Sequence, residues 1–301
     1  SDLTQRARFS ISEQKDVMSQ ELSVQKKMWL TFRRNKPALI GALVTILIIL
    51  VSILAPWITP YDPLAQDPLI RLEGLNAAHK LGTDDFGRDV LARIIYGSRI
   101  SLIIGLASVL FGMVVGTILG MVAGYYRGKI ETLIMRGIDV MMCFPDLILA
   151  IVITAVLGAN LVNLVITLGL VMTPRFARLA HGQLLSLSES EYVVAARAIG
   201  LHVPRILGRH IFPNIFGELF VAGTLWVGVA IRLEANLAFV GLGVAPPTPT
   251  WGNMIREGID VMISAPWISI CSGLAILVTI LAFNMLGDGL RDIADPKLRG
   301  I

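Results

Sequence analysis

Long uncharged stretches alternate with short polar ones along this chain, and their lengths predict membrane-spanning helices. Crossing a bilayer takes about 20 predominantly apolar residues in helical form. Residues 38–55 form an uncharged run bounded by Lys36-Pro37 and Pro56. No Asp, Glu, Lys or Arg falls between Arg99 and Arg127, which predicts a second span over 100–124. A third, over 132–157, carries Arg136, Asp139 and Asp146. Gly158-Ala159-Asn160 is a turn signal, after which residues 161–172 open a fourth span. A fifth covers 214–240 despite Arg232 and Glu234, and the charge-free interval between Asp260 and Asp288 places a sixth over 266–286. No repeat of fixed period is visible. The first apolar run begins too late and is too long for a cleaved signal peptide.

Two connections, 56–99 and 174–213, are too long for simple turns. Structureless connections of this length are unusual, so each is expected to carry structure of its own. In the second, Ser188 or Ser190 suits the N-cap of a helix with Glu191 in its first turn, ending at Gly200. Pro204 suits the first turn of a further helix over 205–211. In the first connection, Gly82 and Gly87 bracket the acidic stretch from Thr83 to Asp89, as a turn requires. That turn reads either as a cap for the helix entered at Asp89-Val90-Leu91 or as a contact surface for a partner. Trp251, after a Pro-rich turn, suits an anchor at the membrane interface.

Composition agrees with a membrane chain. Of 301 residues, 54% are hydrophobic and 16% charged, against about 25% charged in soluble domains. That excludes a soluble enzyme, a disordered scaffold and a disulfide scaffold. Cys143 and Cys271 both lie in apolar runs and cannot form a zinc site. The net charge of +4 matters less than its distribution. Six spans put both termini on one side, and that side holds 19 Lys and Arg against six opposite. The bias places both termini in the cytoplasm. The expected plan is an all-α, six-span membrane protein. It has a cytoplasmic segment over 1–37, a first span over 38–58 and an outer loop over 59–99. A core over 100–290 contains a cytoplasmic loop at 186–213, and a tail covers 291–301.

Catalytic patterns are missing. The stretch from Gly124 to Ile130 resembles a phosphate loop only superficially: it is one residue short, and Ile130 cannot supply the magnesium-ligating hydroxyl. His79, His181, His202 and His210 lack metal-ligand spacing, and no Gly-x-Ser-x-Gly elbow occurs. The chain is expected to bind no metal or cofactor and to draw any work against a gradient from elsewhere.

Two patterns inside the spans invite a role. Gly112, Gly116, Gly120 and Gly124 repeat small-xxx-small spacing along the second span, for close packing within the chain or against a partner. Ionisable residues inside a membrane are functional candidates by default. Arg232 and Glu234 are two apart and do not share a helix face, whereas Arg136 and Asp139 are three apart and can pair. Arg232, Glu234 and Asp139 are candidates for lining a pathway, with structural pairing as the alternative.

The cytoplasmic loop also carries a motif. Ala195-Ala196-x-x-x-Gly200, then nine residues, then His210-x-Phe212-Pro213 resembles the EAA loop of ABC-importer permeases, with Val194, His210 and Phe212 where that pattern has Glu, Ile and Leu. Three further stretches sharpen the match: Leu81-Gly82-Thr83-Asp84-Asp85-Phe86-Gly87-Arg88-Asp89-Val90, Gly241 through Gly252, and Ala282 through Asp292 with Asp295-Pro296-Lys297. Together these resemble the second permease subunit of the dipeptide, oligopeptide and nickel ABC importers, the DppC/OppC-like group. The resemblance covers residues 28–300 and departs at Thr250, where the family often has Glu.

The resemblance implies a type I ABC importer permease in the bacterial inner membrane, with a homologous DppB/OppB-like permease beside it. Two DppD/DppF-like ATPases would hold ATP and magnesium, and an external binding protein would deliver a peptide substrate. A short coupling helix would present Ser190, Glu191, Tyr192, Ala195, Ala196, Arg197 and Gly200 to an ATPase. Nickel chelates, glutathione and opines are alternative substrates, and nothing points to nucleic acid. An ion-coupled transporter using Asp139 and Glu234 is a rival class, opposed by the missing internal repeat. A structural membrane anchor would leave the intramembrane charges without a purpose.

Overall fold

A computed structural model of the chain describes Arg33 and residues 35–294. The N-terminal segment expected over 1–37 and the tail expected over 291–301 therefore fall largely outside the described residues. Within them the fold is helical, with one isolated bridge between Thr83 and Asp89.

Helix α1, Lys36–Ile53, starts where Pro37 pre-sets its first turn and Asn35 Oδ1 accepts from the Ala38 N–H at 3.1 Å. Its inner face packs on the last helix: a Cβ on Gly41 would lie 2.7 Å from the Leu286 nitrogen. Leu43, Ile46, Leu47 and Leu50 point away from the protein, as lipid-facing residues do.

Helix α2, Val90–Tyr126, has 37 residues and is about 55 Å long. It begins ten residues earlier than the charge pattern predicts. Asp89 caps it, accepting from the Ala92 N–H at 2.6 Å. Arg93 does not end the helix, because its charge is neutralised by buried Asp84 and half-buried Glu257.

The third span is broken rather than continuous. Helices α3, Gly128–Met142, and α4, Asp146–Leu157, meet at 99°. Their 15 and 12 residues give about 22 and 18 Å, and neither alone crosses a hydrocarbon core. The break is local chemistry: Pro145 lacks an N–H and pushes Phe144 out of helical conformation. Gly158, at φ 86°, ends α4.

Helix α5, Leu161–Leu187, corrects a second expectation, since it runs straight through Pro174 into what the sequence reads as loop. The proline leaves the Leu170 carbonyl without its helical donor. Apolar burial of Met172, Phe176, Ala177 and Ala180 on both sides of it carries the helix onward. The connection begins at Ser188. It holds α6, Glu191–Ala198, a short turn at Val203–Arg205, and a π-helical stretch at Ile206–Ile211. That stretch does not form a separate helix, because it continues into α7, Phe212–Phe239. Its wider turn, with the Phe212 N–H bonded back to the Leu207 carbonyl, absorbs Pro213.

Helix α8, Trp251–Asp260, and helix α9, Pro266–Ala294, are the last two among the described residues. Among the described residues, five helical segments are long and apolar enough to cross a membrane, and the bent pair, taken as one span, makes a sixth. The core lies where α2, α5 and α7 meet, around Ile104, Leu168, Met172, Phe176, Leu184 and Ile231. Trp251 is not an interfacial anchor. It is buried in this core, and its indole N–H donates to the Ile94 carbonyl at 3.0 Å.

Candidate functional site

Helix α6 stands outside the bundle between α5 and α7. Its start follows from Ser190 in extended backbone, although the Ser190 hydroxyl donates to the Leu187 carbonyl at 2.5 Å rather than accepting from α6. Its end is a double closure: the Gly200 N–H bonds to the Arg197 carbonyl at 3.0 Å and the Leu201 N–H to the Ala196 carbonyl at 3.1 Å. Gly200 sits at φ +75°, which side chains rarely adopt, and no atom crowds it. Val193 and Ala196 are buried against the bundle, while Glu191, Tyr192, Val194, Ala195, Arg197 and Ile199 face outward. Ala196 thus seats the helix, and Ala195 lies on the open face. Arg197 rests over the Tyr125 ring at 5.0 Å, and Arg127 donates to Ser188 Oγ at 3.0 Å, tying the loop to the end of α2.

Three acids on α3 and α4 pair with bases on α5. Asp139 binds Arg178 at 2.7 Å, not Arg136. His181 meets Glu131 at 2.8 Å and Arg175 meets Asp146 at 2.7 Å, so α5 supplies the base each time. Arg175 also covers the Trp226 ring at 4.3 Å. The spacing of Arg175, Arg178 and His181 on one helix face was the available signal; it is lost if Pro174 is read as ending the helix. Glu131, Thr132, Met135, Arg136, Asp139, Arg178 and His181 line a cavity of about 690 Å³.

Arg232 and Glu234 part company, as their spacing requires. Arg232 is exposed and has no ion pair among the described residues. Glu234 has no exposed surface, lies beside the hydroxyls of Ser101 and Thr250, and neither carboxylate oxygen has a well-aligned hydrogen-bond partner among the described residues. In this conformation Glu234 is closed off from solvent.

Residues 116–300 match the family of the binding-protein-dependent transport system inner membrane component, and residues 23–77 match the N-terminal TM domain of oligopeptide transport permease C. The chain belongs to this inner-membrane transport family. It is 43% identical over 267 residues to the dipeptide transport system permease protein DppC of Alkalihalophilus pseudofirmus, covering 89% of this chain and 88% of that one. It is 42% identical to the glutathione transport system permease protein GsiD of Pectobacterium atrosepticum, covering 91% of each. Among solved structures, the inward-facing MetNI methionine ABC transporter matches with a TM-score of 0.55 at 18% identity, over 67% of this chain and 96% of that one. The fold is therefore that of a type I ABC importer permease.

The glycine stripe of this permease packs inside the subunit. A Cβ on Gly112, Gly116 or Gly120 would fall 2.7, 2.5 or 2.2 Å from the carbonyl oxygens of Gly169, Thr173 and Ala177, and one on Gly124 would fall 2.8 Å from Leu184. All four faces are taken by α5, which leaves the stripe no room for a partner.

At the opposite end of the permease from α6, the acidic turn is a structural knot. Asp84 accepts from Arg88 Nε at 2.7 Å and also pairs with Arg93, while Glu257 on α8 holds both arginines at 2.9 and 3.0 Å. His79 meets Asp89 at 2.9 Å. Gly82 and Gly87 adopt φ of +71° and +72° to close the turn, and a Cβ on Gly87 would overlap the Asp67 carbonyl.

Proposed function

We propose that this chain is one of two related permease subunits of an ATP-driven peptide importer, with both termini and α6 on the cytoplasmic side. Di- and oligopeptides are the leading substrates. The proteins named for dipeptide and glutathione transport, each more than 40% identical to it, support a peptide-type cargo. Glutathione is the second reading for the same reason. A DppB/OppB-like permease completes the pathway, an external binding protein delivers cargo, and two DppD/DppF-like ATPases supply the energy. ATP and magnesium belong to those ATPases. The Lys/Arg bias supports the orientation.

The observation that carries this reading is α6: a short helix outside the bundle, seated by Val193 and Ala196 and closed by a left-handed glycine. A rigid stub between two spans transmits a push from an ATPase groove to α5 and α7 without bending. Its open face offers Glu191, Tyr192, Ala195, Arg197 and Gly200 to that groove, with Ser190 at its start. Arg232 and Asp139 are our candidates for meeting cargo, supported by the exposure of Arg232 and the half-exposure of Asp139. The test is Gly200→Val in the reconstituted complex. Intact insertion with ATP hydrolysis uncoupled from dialanine uptake is the expected outcome, and coupled uptake at the wild-type rate would overturn the role of α6.

A further inference from the structure

The pairs on α3 and α5 occupy a place where charges are costly. Arg175 lies 14 residues, about 21 Å, from the start of α5, so the three bases fall in the second half of the helix. Asp139 and Arg178 keep 45% and 50% of their side-chain surface exposed. Charges held inside membrane spans face a bundle interior or a watery cavity rather than lipid.

The α3–α5 contact is built to be wet. Ile138 is the one buried residue of α3, and the helix is held to α5 by ion pairs rather than by an apolar seam. It also crosses α5 obliquely: from Glu131 to Asp139 is about 12 Å along α3, yet their partners His181 and Arg178 are about 4.5 Å apart along α5. The wedge left open is a shallow cleft of about 690 Å³, broadly open on one side.

Inside it, Glu131 and Asp139 are matched by His181 and Arg178, while Arg136 is exposed and has no acid partner among the described residues. We propose that this wedge is a water-filled segment of the translocation pathway near its cytoplasmic end, and that Arg136 selects cargo there by receiving a carboxylate, as a peptide C-terminus provides. The proposal rests on the permease reading above and adds to it a place and a selecting residue. Arginine suits the task because its planar fork meets a carboxylate with two parallel hydrogen bonds.

The experiment uses the assembled importer in nanodiscs, with Cys143 and Cys271 replaced by Ser and Arg136→Cys introduced. Water-soluble cationic and anionic methanethiosulfonates serve as probes, without nucleotide and after trapping with ATP and vanadate. Reaction in the nucleotide-free complex, slowed several-fold by trapping, is expected. Absence of reaction in both states would place the wedge against lipid or under the partner permease and overturn the proposal. Thr132→Cys, on the same cavity, replaces Arg136→Cys if that variant does not assemble.

Selection is read separately, from uptake of dialanine against its C-terminal amide. Arg136→Gln should lower the preference for the free acid about tenfold, the size expected for one charge-assisted contact, and Arg136→Lys should restore part of it. An unchanged preference in an assembled complex refutes the selecting role. Should the wild-type complex import neither dialanine nor glutathione, the peptide reading fails, while thiol accessibility still decides whether the wedge is aqueous.

Discussion

Gly120 and Ala177 are so close that a single methyl group cannot be placed between them: a Cβ on Gly120 would lie 2.2 Å from the Ala177 carbonyl oxygen. The neighbour is backbone, so it cannot rotate aside, and α2 and α5 must separate to admit it. Gly120→Ala is therefore expected to cost about 1–3 kcal/mol, the usual penalty of overpacking. Gly182→Ala, on α5 with no atom within 4 Å of its added Cβ, should be neutral or slightly stabilising. Thermal unfolding of the two variants in detergent separates them.

Arg93 is buried between Asp84 and Glu257. Removing Arg93 leaves Asp84 and Glu257 to share Arg88, so two acids face a single base, at a cost below that of a buried charge left with no partner, about 3–5 kcal/mol. Arg93→Ala should therefore loosen the 59–89 segment from α8, seen as faster proteolysis within that segment. Arg71→Ala, which removes an exposed pairing with Asp85, should leave the cleavage rate near wild type, because such pairs contribute little.

Asp139 and Arg178 are half-exposed partners on different helices. Reversing either charge alone places two like charges together and should lower the yield of folded protein. Exchanging them, with Asp139→Arg and Arg178→Asp in one chain, should recover most of it. Failure of the exchange to recover yield would show that the pair does not hold α3 to α5. Because the pair is solvated, the coupling energy in a double-mutant cycle should be below about 1 kcal/mol.

Trp251→Phe keeps the ring but leaves the Ile94 carbonyl without its indole donor. The carbonyl keeps its helical bond from the Ser98 N–H, so the expected loss is about 0.5–1.5 kcal/mol, the net contribution of one hydrogen bond. Trp57 is 78% exposed, and Trp57→Phe should leave the melting temperature within error.

The six-span plan was legible because the bilayer imposes it. Uncharged runs long enough to cross are rare by chance, and five of the six became unbroken helical segments. Helix α6 was legible for a similarly local reason, since Ser190 and Gly200 mark its ends by backbone preference. Pro174 misled in the other direction. A proline signals the end of a helix when its neighbours are judged by local preference, but packing against α2 outweighs one missing hydrogen bond. The partners of Asp139, Asp146 and Glu131 were hidden behind that error, because the face of α5 that holds them exists only if the helix continues.

The sequence by itself determined the solvent in which each segment would rest, the number of crossings, and the family motifs on the loops. These follow from transfer free energies and turn preferences that act over a few residues. The tertiary structure alone decided that the glycine stripe belongs to α5, that Trp251 and Glu234 lie inside while Arg232 lies outside, and that α3 leans away to open a charged wedge. Such outcomes depend on which helix faces meet, and that is set by close packing and by long-range charge pairing between residues far apart in the chain.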